Sequence, residues 1–283
     1  MIIYEALSQP WLGSQAWQAK ILKGVLAILM VFGFWSSTPA IAAPDLTQLS
    51  ENALVRQAQT AQRQGELAQV EAAWNELLRR HPDNAALWSN RGNSRAGQGK
   101  LAAAIADYDQ AIALAPQAPD PYLNRGAAYE AEGEWLAAIA DYNQVLALEP
   151  QDAAAYNNRG NALLGLQDWA AAIDDFERAI ALKPDFALAR CNLALVLFQQ
   201  GETAESLTQL RRLTRKYPVF ADSRAALTAV LWSQGQTGEA ESNWVAVLGL
   251  DPRYRNLEWV SQVRRWPPRL VKALGQFLAL EAS

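Results

Sequence analysis

Three arginines stand 34 residues apart, at Arg91, Arg125 and Arg159, and three aspartates keep the same interval at Asp107, Asp141 and Asp175. In the next two stretches on that interval, Leu193 and Leu227 replace the arginine while Gln209 and Asn243 replace the aspartate. Opposite charges that are kept together and lost together point to an ion pair between two elements, a contact that fixes geometry more than it stabilises. A second row is Asn90, Asn124, Asn158 and Asn192 on the same interval, with Asn93, Asn157 and Asn161 close by on the same face. Asparagine is a mediocre helix former, and its amide carries both a donor and an acceptor, as a peptide backbone does. The row is either a ladder for a bound backbone or a residue copied along with its repeat. A third pattern is apolar: Leu164, Phe198 and Trp232 share one register, where earlier stretches carry Ala96 and Glu130. An exposed apolar row marks a partner site unless the chain's own end or the neighbouring stretch covers it.

Covalent and metal chemistry has little to work with. The 283-residue chain has one histidine, His81, beside Pro82, and one cysteine, Cys191. No nucleophile–base pair can be assembled from these, dense Cys/His metal sites are excluded, and no internal disulfide is available. The expectation is no catalytic residue, no metal and no cofactor. Hydrophobic residues make up 51% and charged residues 19%, enough to bury a core, and the net charge of −4 gives no pull toward nucleic acid.

The elements that must position these rows are set by a lattice. Pro82, Pro116, Pro150, Pro184, Pro218 and Pro252 are each 34 residues apart, and Gly65, Gly99, Gly133, Gly201 and Gly235 keep the same frame, with Gln167 in the remaining slot. This predicts six repeats: 51–84, 85–118, 119–152, 153–186, 187–220 and 221–254. Each reads as two helices. In the fourth, Tyr156, Leu163 and Leu166 line the first and Ala172, Phe176 and Ala179 the second. The lattice glycine caps the first helix, and the proline stops the second. Gly92, Gly126 and Gly160 fall inside first helices, where a missing side chain lets the partner helix approach.

Trp88, Gly92, Gly99, Ala104, Tyr108, Ala111 and Pro116 resemble the tetratricopeptide repeat (TPR) pattern, as do Tyr122, Gly126, Tyr129, Gly133, Ala138, Tyr142 and Pro150. Ala172, Phe176 and Ala179 of the fourth repeat agree, whereas Leu54, Arg190 and Arg224 depart from it where an aromatic is usual. The resemblance covers 51–254 and implies an all-α superhelical solenoid of six helix-turn-helix repeats, with a concave groove lined by first helices that holds other proteins. It also places the three arginines where the family usually has an apolar residue. The asparagine row resembles the ladder with which the TPR region of O-GlcNAc transferase holds extended peptide. TPR domains that grip the C-terminal carboxylate of heat-shock chaperones need lysines and an arginine in the groove. Here those positions hold Ser89, Ala154 and Asn158, so although Asn93 and Asn124 match, that function is excluded.

The two ends differ from the lattice. Lys20 and Lys23 flank the start of an apolar stretch, Gly24–Trp35, followed by Ala40-Ile41-Ala42. This reads as a signal peptide over 1–42, cleaved before Ala43, with 43–50 as a short linker. The alternative is an uncleaved anchor over residues 21–43. At the other end, 253–283 carries a net +4, and Leu270, Leu274, Phe277 and Leu278 form a stripe. Residues 255–283 are expected to cap the array with a helix over 268–280, or to serve as a membrane-surface or partner helix. The segments "RYRNLEWV" and "RRWPP" resemble the ending of lumenal TPR proteins of cyanobacteria and chloroplasts.

The functional expectation is an exported, non-enzymatic scaffold in a thylakoid lumen or periplasm. It would bind extended segments of other proteins through the asparagines and the apolar row, without nucleic acid. Membrane contact would come only through an uncleaved N-terminus or the basic C-terminal helix. The lumenal resemblance implies assembly or maintenance of a photosynthetic membrane complex. The alternatives are a membrane-tethered receptor, or an enzyme or small-ligand receptor built on the same groove.

Overall fold

The structure is a computed structural model that describes residues 45–281. The signal-peptide and anchor readings of residues 1–43 lie outside those residues. Among them, fourteen α-helices follow one another: α1 Glu51–Gln64, α2 Leu67–Arg80, α3 Ala85–Gly97, α4 Leu101–Leu114, α5 Pro119–Glu132, α6 Trp135–Leu148, α7 Ala153–Gly165, α8 Trp169–Leu182, α9 Ala187–Gln200, α10 Thr203–Lys216, α11 Ala221–Ser233, α12 Thr237–Leu250, α13 Leu257–Gln262 and α14 Pro268–Glu281. The chain divides into two compact units after Asp83. No described helix is long and apolar enough to cross a membrane.

The local chemistry of each hairpin is the same. The lattice glycines Gly65, Gly99, Gly133, Gly201 and Gly235 all take positive φ, between 71° and 96°, the left-handed conformation that closes a first helix. The amide after the glycine then reaches back, as Glu134 N–H does to the Tyr129 carbonyl at 2.9 Å. Gln167 fills the sixth turn at φ 60°. At the other end, the residue before each lattice proline is pushed out of the helical region. Ala115, Glu149 and Lys183 have φ of −140°, −130° and −132°. The pyrrolidine ring disfavours helical backbone in the residue before it, so each second helix ends one residue earlier still. Between the helices, a Cβ built on Gly92, Gly126 or Gly160 would fall 2.6–2.7 Å from the ring of Tyr108, Tyr142 or Phe176. That space belongs to the aromatic, which is why all three rings are fully buried.

The first unit holds the α1–α2 hairpin around Leu54, Ala58, Val70 and Ala73. Its leader, read from sequence as a linker, contains a 3-10 turn at Leu46–Gln48. Arg80 holds that leader by donating to the Leu49, Thr47 and Leu46 carbonyls at 2.7, 3.0 and 3.2 Å. Glu76 accepts from both Arg79 and Arg80, and the Arg79 hydrogen bonds hold its carboxyl down at about 2.

The second unit stacks five hairpins, α3–α4 to α11–α12, each second helix packing against the first helix of the next repeat. First helices of consecutive repeats also meet (α3 with α5, α5 with α7, α9 with α11), so they form an inner wall. The largest core cluster lies at its C-terminal end, where Leu195, Phe198, Val230, Leu231 and Trp244 join Tyr254, Val260, Trp266, Leu270, Leu274 and Phe277 of the tail. Helix α14 covers the last repeat, as expected, but runs along α11 and α9, first helices of repeats six and five. The tail therefore lies on the inner wall.

Candidate functional site

The charged row joins helices within and between repeats. Arg91 grips Asp107 at 2.9 and 2.6 Å, Arg125 grips Asp141 at 2.9 and 2.6 Å, and Arg159 grips Asp175 at 2.8 and 2.6 Å. Each is a two-pronged fork on a buried carboxylate, the geometry a planar guanidinium is suited to. The third nitrogen continues the row: Arg125 donates to Asp109 and Arg159 to Asn143, each one repeat back, at 2.5 and 2.6 Å. Asp109 and Asn143 also keep the 34-residue interval, so the sequence marks them by the same periodicity. Arg91 and Arg159 further lie over the rings of Trp88 and Tyr156, at 4.7 and 5.5 Å. The row is a staple for the solenoid with its charges engaged.

The asparagines divide into two groups. Asn192 donates to Asn157 at 3.1 Å and to Asn161 at 2.9 Å, and all three are at most 9% exposed. Asn157, Asn161 and Asn192 were expected to meet a partner; they instead satisfy each other in a buried amide cluster. The reason is steric: α9 brings Asn192 against α7 closely enough for direct bonding. Asn93 accepts from the Tyr108 hydroxyl at 2.8 Å, and Asn158 accepts from Asn157 at 3.3 Å. Asn90 and Asn124 are half-buried on the inner wall and have no side-chain hydrogen-bond partner among the described residues. An amide in that position retains the capacity that a peptide backbone can use.

The apolar row is already occupied. Phe277 meets Trp232 edge-on at 5.4 Å, and Arg269 lies over Phe198 at 4.4 Å while donating to the Phe198 carbonyl at 2.6 Å. Leu164 is 9% exposed and packs with Leu193 and Val196 of the next repeat. Phe198, Trp232 and Leu164, expected to contact a partner, are thus covered by the tail and by α9. An amphipathic segment on the same chain has a high effective concentration at that surface, and fills it first.

Two polar clusters pin the tail. Arg264 and the Tyr254 hydroxyl both meet Asp222, beside the buried Cys191. Burial pushes the Cys191 thiol and the Tyr254 phenol well up, leaving neither available as a nucleophile near neutral pH. Arg265 pairs with Glu130 of repeat three and donates to its carbonyl at 2.8 Å, and Tyr142 donates to the same carboxylate at 2.9 Å. Burial pushes the Glu130 carboxyl up, and Arg265 pulls it back. No periodic signal points to this contact, because its partners are 135 residues apart. His81, in the first unit, contacts Glu51 at 2.7 Å. Among the described residues no group of three or more His, Cys, Asp or Glu side chains is placed to hold a metal.

Paired helices of 13–14 residues, stacked so that first helices line one wall, define the class: a helical-hairpin repeat solenoid. Family models for the tetratricopeptide repeat match residues 92–133, 126–191 and 163–230. The chain is a tetratricopeptide-repeat protein. A TPR protein from Parabacteroides merdae superposes with TM-score 0.63 at 21% identity, over 81% of this chain and 92% of that one. PilF of Pseudomonas aeruginosa gives 0.61 at 16% identity, over 71% and 92%. MamA of Desulfovibrio magneticus gives 0.54 at 18% identity, over 62% and 96%. At these identities the likeness is one of fold. A comparison with curated protein sequences gives no match.

Proposed function

We propose that the protein is a non-enzymatic scaffold that binds an extended polypeptide segment along the inner wall of repeats two to four. The carrying observation is the pair Asn90 and Asn124, which share one register, stay half-exposed and lack a partner among the described residues. The tail takes the same wall at repeats five and six and reaches Glu130, at the end of α5, through Arg265, so the bound segment stops short of α9. Each backbone hydrogen bond is worth about 0.5–1.5 kcal/mol net. Two of them give modest affinity and little preference for sequence, which suits an assembly role. The reading of residues 1–42 as a signal peptide supports export to a thylakoid lumen or periplasm. The lumenal-type ending supports work on a photosynthetic membrane complex.

The test is selection of unstructured peptides from a random display library on the full chain, followed by titration of the Asn90→Ala/Asn124→Ala double variant. Every selected peptide is expected to lose about 5- to 150-fold in affinity, from two bonds of that size. Unchanged affinity in a folded double variant would show that the row is inherited pattern and that the wall is not the site.

A further inference from the structure

Only two non-glycine residues with positive φ occur among the described residues, Gln167 at 60° and Arg265 at 55°. They line the same cleft, between the turns of repeats three and four and the tail. Backbone held in a disfavoured region persists where the surroundings demand it, and such positions gather at functional sites. Three tryptophans line this cleft: Trp135, Trp169 and Trp266. The first two occupy a register that holds Leu67, Leu101, Thr203 and Thr237 in the other repeats. A Cβ on Gly165 would fall 2.4 Å from the Trp135 ring, so that indole lies flat on the α7 backbone. Features that depart from the lattice in separate parts of the chain therefore meet at one place.

The chemistry of the cleft selects an occupant. None of the three indole N–H groups has an acceptor among the described residues. Trp266 is only 4% exposed, yet its N–H still reaches solvent. Arg265, over Trp135 at 5.0 Å, is balanced by Glu130, so the cleft presents no net charge. Its volume of about 190 Å³ is below the ~300–1,000 Å³ of pockets that enclose a small ligand. It takes ring-sized side chains of a segment lying across it. One wall is already a proline pair, Pro267 and Pro268, seated with the tryptophans, and an incoming segment would extend that packing.

We infer that this cleft is a docking site for a proline-rich segment of a partner protein in polyproline II conformation. That conformation has no internal hydrogen bonds and turns its carbonyls outward, where indole N–H groups can donate to them. Its pyrrolidine rings lie flat on aromatic faces, and an uncharged segment suits a cleft whose charges cancel. The site is separate from Asn90 and Asn124 and does not depend on what the inner wall binds.

The experiment is titration of the full chain with a decaproline peptide and a Gly/Ser peptide of equal length, read by calorimetry and by the indole N–H resonances of the 11 tryptophans. Saturable binding of decaproline alone is expected, with shifts at Trp135, Trp169 and Trp266. Trp169→Ala is expected to weaken binding about tenfold with the unfolding midpoint kept. If that variant fails to fold, Trp169→Phe decides, keeping the ring and losing the N–H: binding several-fold weaker supports the site, and unchanged binding overturns it. No saturable binding, equal binding of the Gly/Ser peptide, or shifts confined to other indoles overturns the proposal. So does a concentration-dependent dimer that Trp169→Phe abolishes, since the occupant would then be a second copy.

Discussion

Phe277→Ala should release the tail from the inner wall, and Cys191 reports it. Phe277 is 1% exposed and sits edge-on to Trp232 and Trp244 at 5.4 and 5.5 Å. Truncating such a phenylalanine costs about 3–5 kcal/mol. In a repeat array that cost stays near the altered repeat, because each hairpin contacts only its neighbours. Cys191 is the chain's single cysteine and lies buried beside Asp222 and Arg264, under the tail. Its reaction with a disulfide reagent at mildly alkaline pH needs the tail to open. When opening and closing are fast compared with labelling, the rate follows the open population. The variant should therefore label between about a hundred and a few thousand times faster than the parent. Amide exchange in α3 and α4 should stay unchanged. Equal labelling rates, or a parent thiol that reacts as fast as a free one, would show that the tail does not cover this wall.

Gly126→Ala places a methyl 2.7 Å from the Tyr142 ring, and should cost about 1–3 kcal/mol in thermal or urea unfolding. Arg125→Leu leaves the Asp141 carboxylate buried without its fork, and should cost about 3–5 kcal/mol. The double variant Arg125→Leu/Asp141→Leu should recover most of that loss, a coupling that two single variants cannot show. Glu130 has a native carboxyl raised by burial, so its contribution is fully present below the ordinary value of 4.5 and is lost as pH rises through the raised value. Unfolding curves of Glu130→Gln across that window should be flatter with pH than those of the parent. Glu76 runs the other way: held down at about 2, it stabilises above 4.5 and loses that contribution as pH falls toward 2.

What the sequence made legible was whatever recurs. Prolines and glycines at a fixed interval carry their own physical reasons, the restricted residue before a proline and the left-handed cap, so hairpin boundaries follow from them. The Arg–Asp row was readable for the same reason: Leu193 with Gln209 and Leu227 with Asn243 show both charges absent together. Contacts outside the repeat rule left no such trace. The stripe of Leu270, Leu274 and Phe277 announced a buried helix face, but nothing in its spacing told the end of the array from its inner wall. The asparagine row shows the limit of register as a guide. Asn124 and Asn192 share a register, but Asn192 meets Asn157 and Asn161 of the preceding repeat, while the corresponding places before Asn124 hold Ser89 and Asn93, and Asn93 is taken by the Tyr108 hydroxyl. One amide is consumed by its neighbours, and the other is left open.

In the proposed function the inner wall of repeats two to four holds an extended segment while the tail holds repeats five and six. Side-chain amide resonances of the asparagines, followed while a library-selected peptide is titrated into the full chain, test it directly. Shifts are expected at Asn90 and Asn124, with Asn157, Asn161 and Asn192 unmoved and α14 still protected from exchange. Shifts at Asn192 with loss of α14 protection, while Asn90 and Asn124 stay silent, would contradict it.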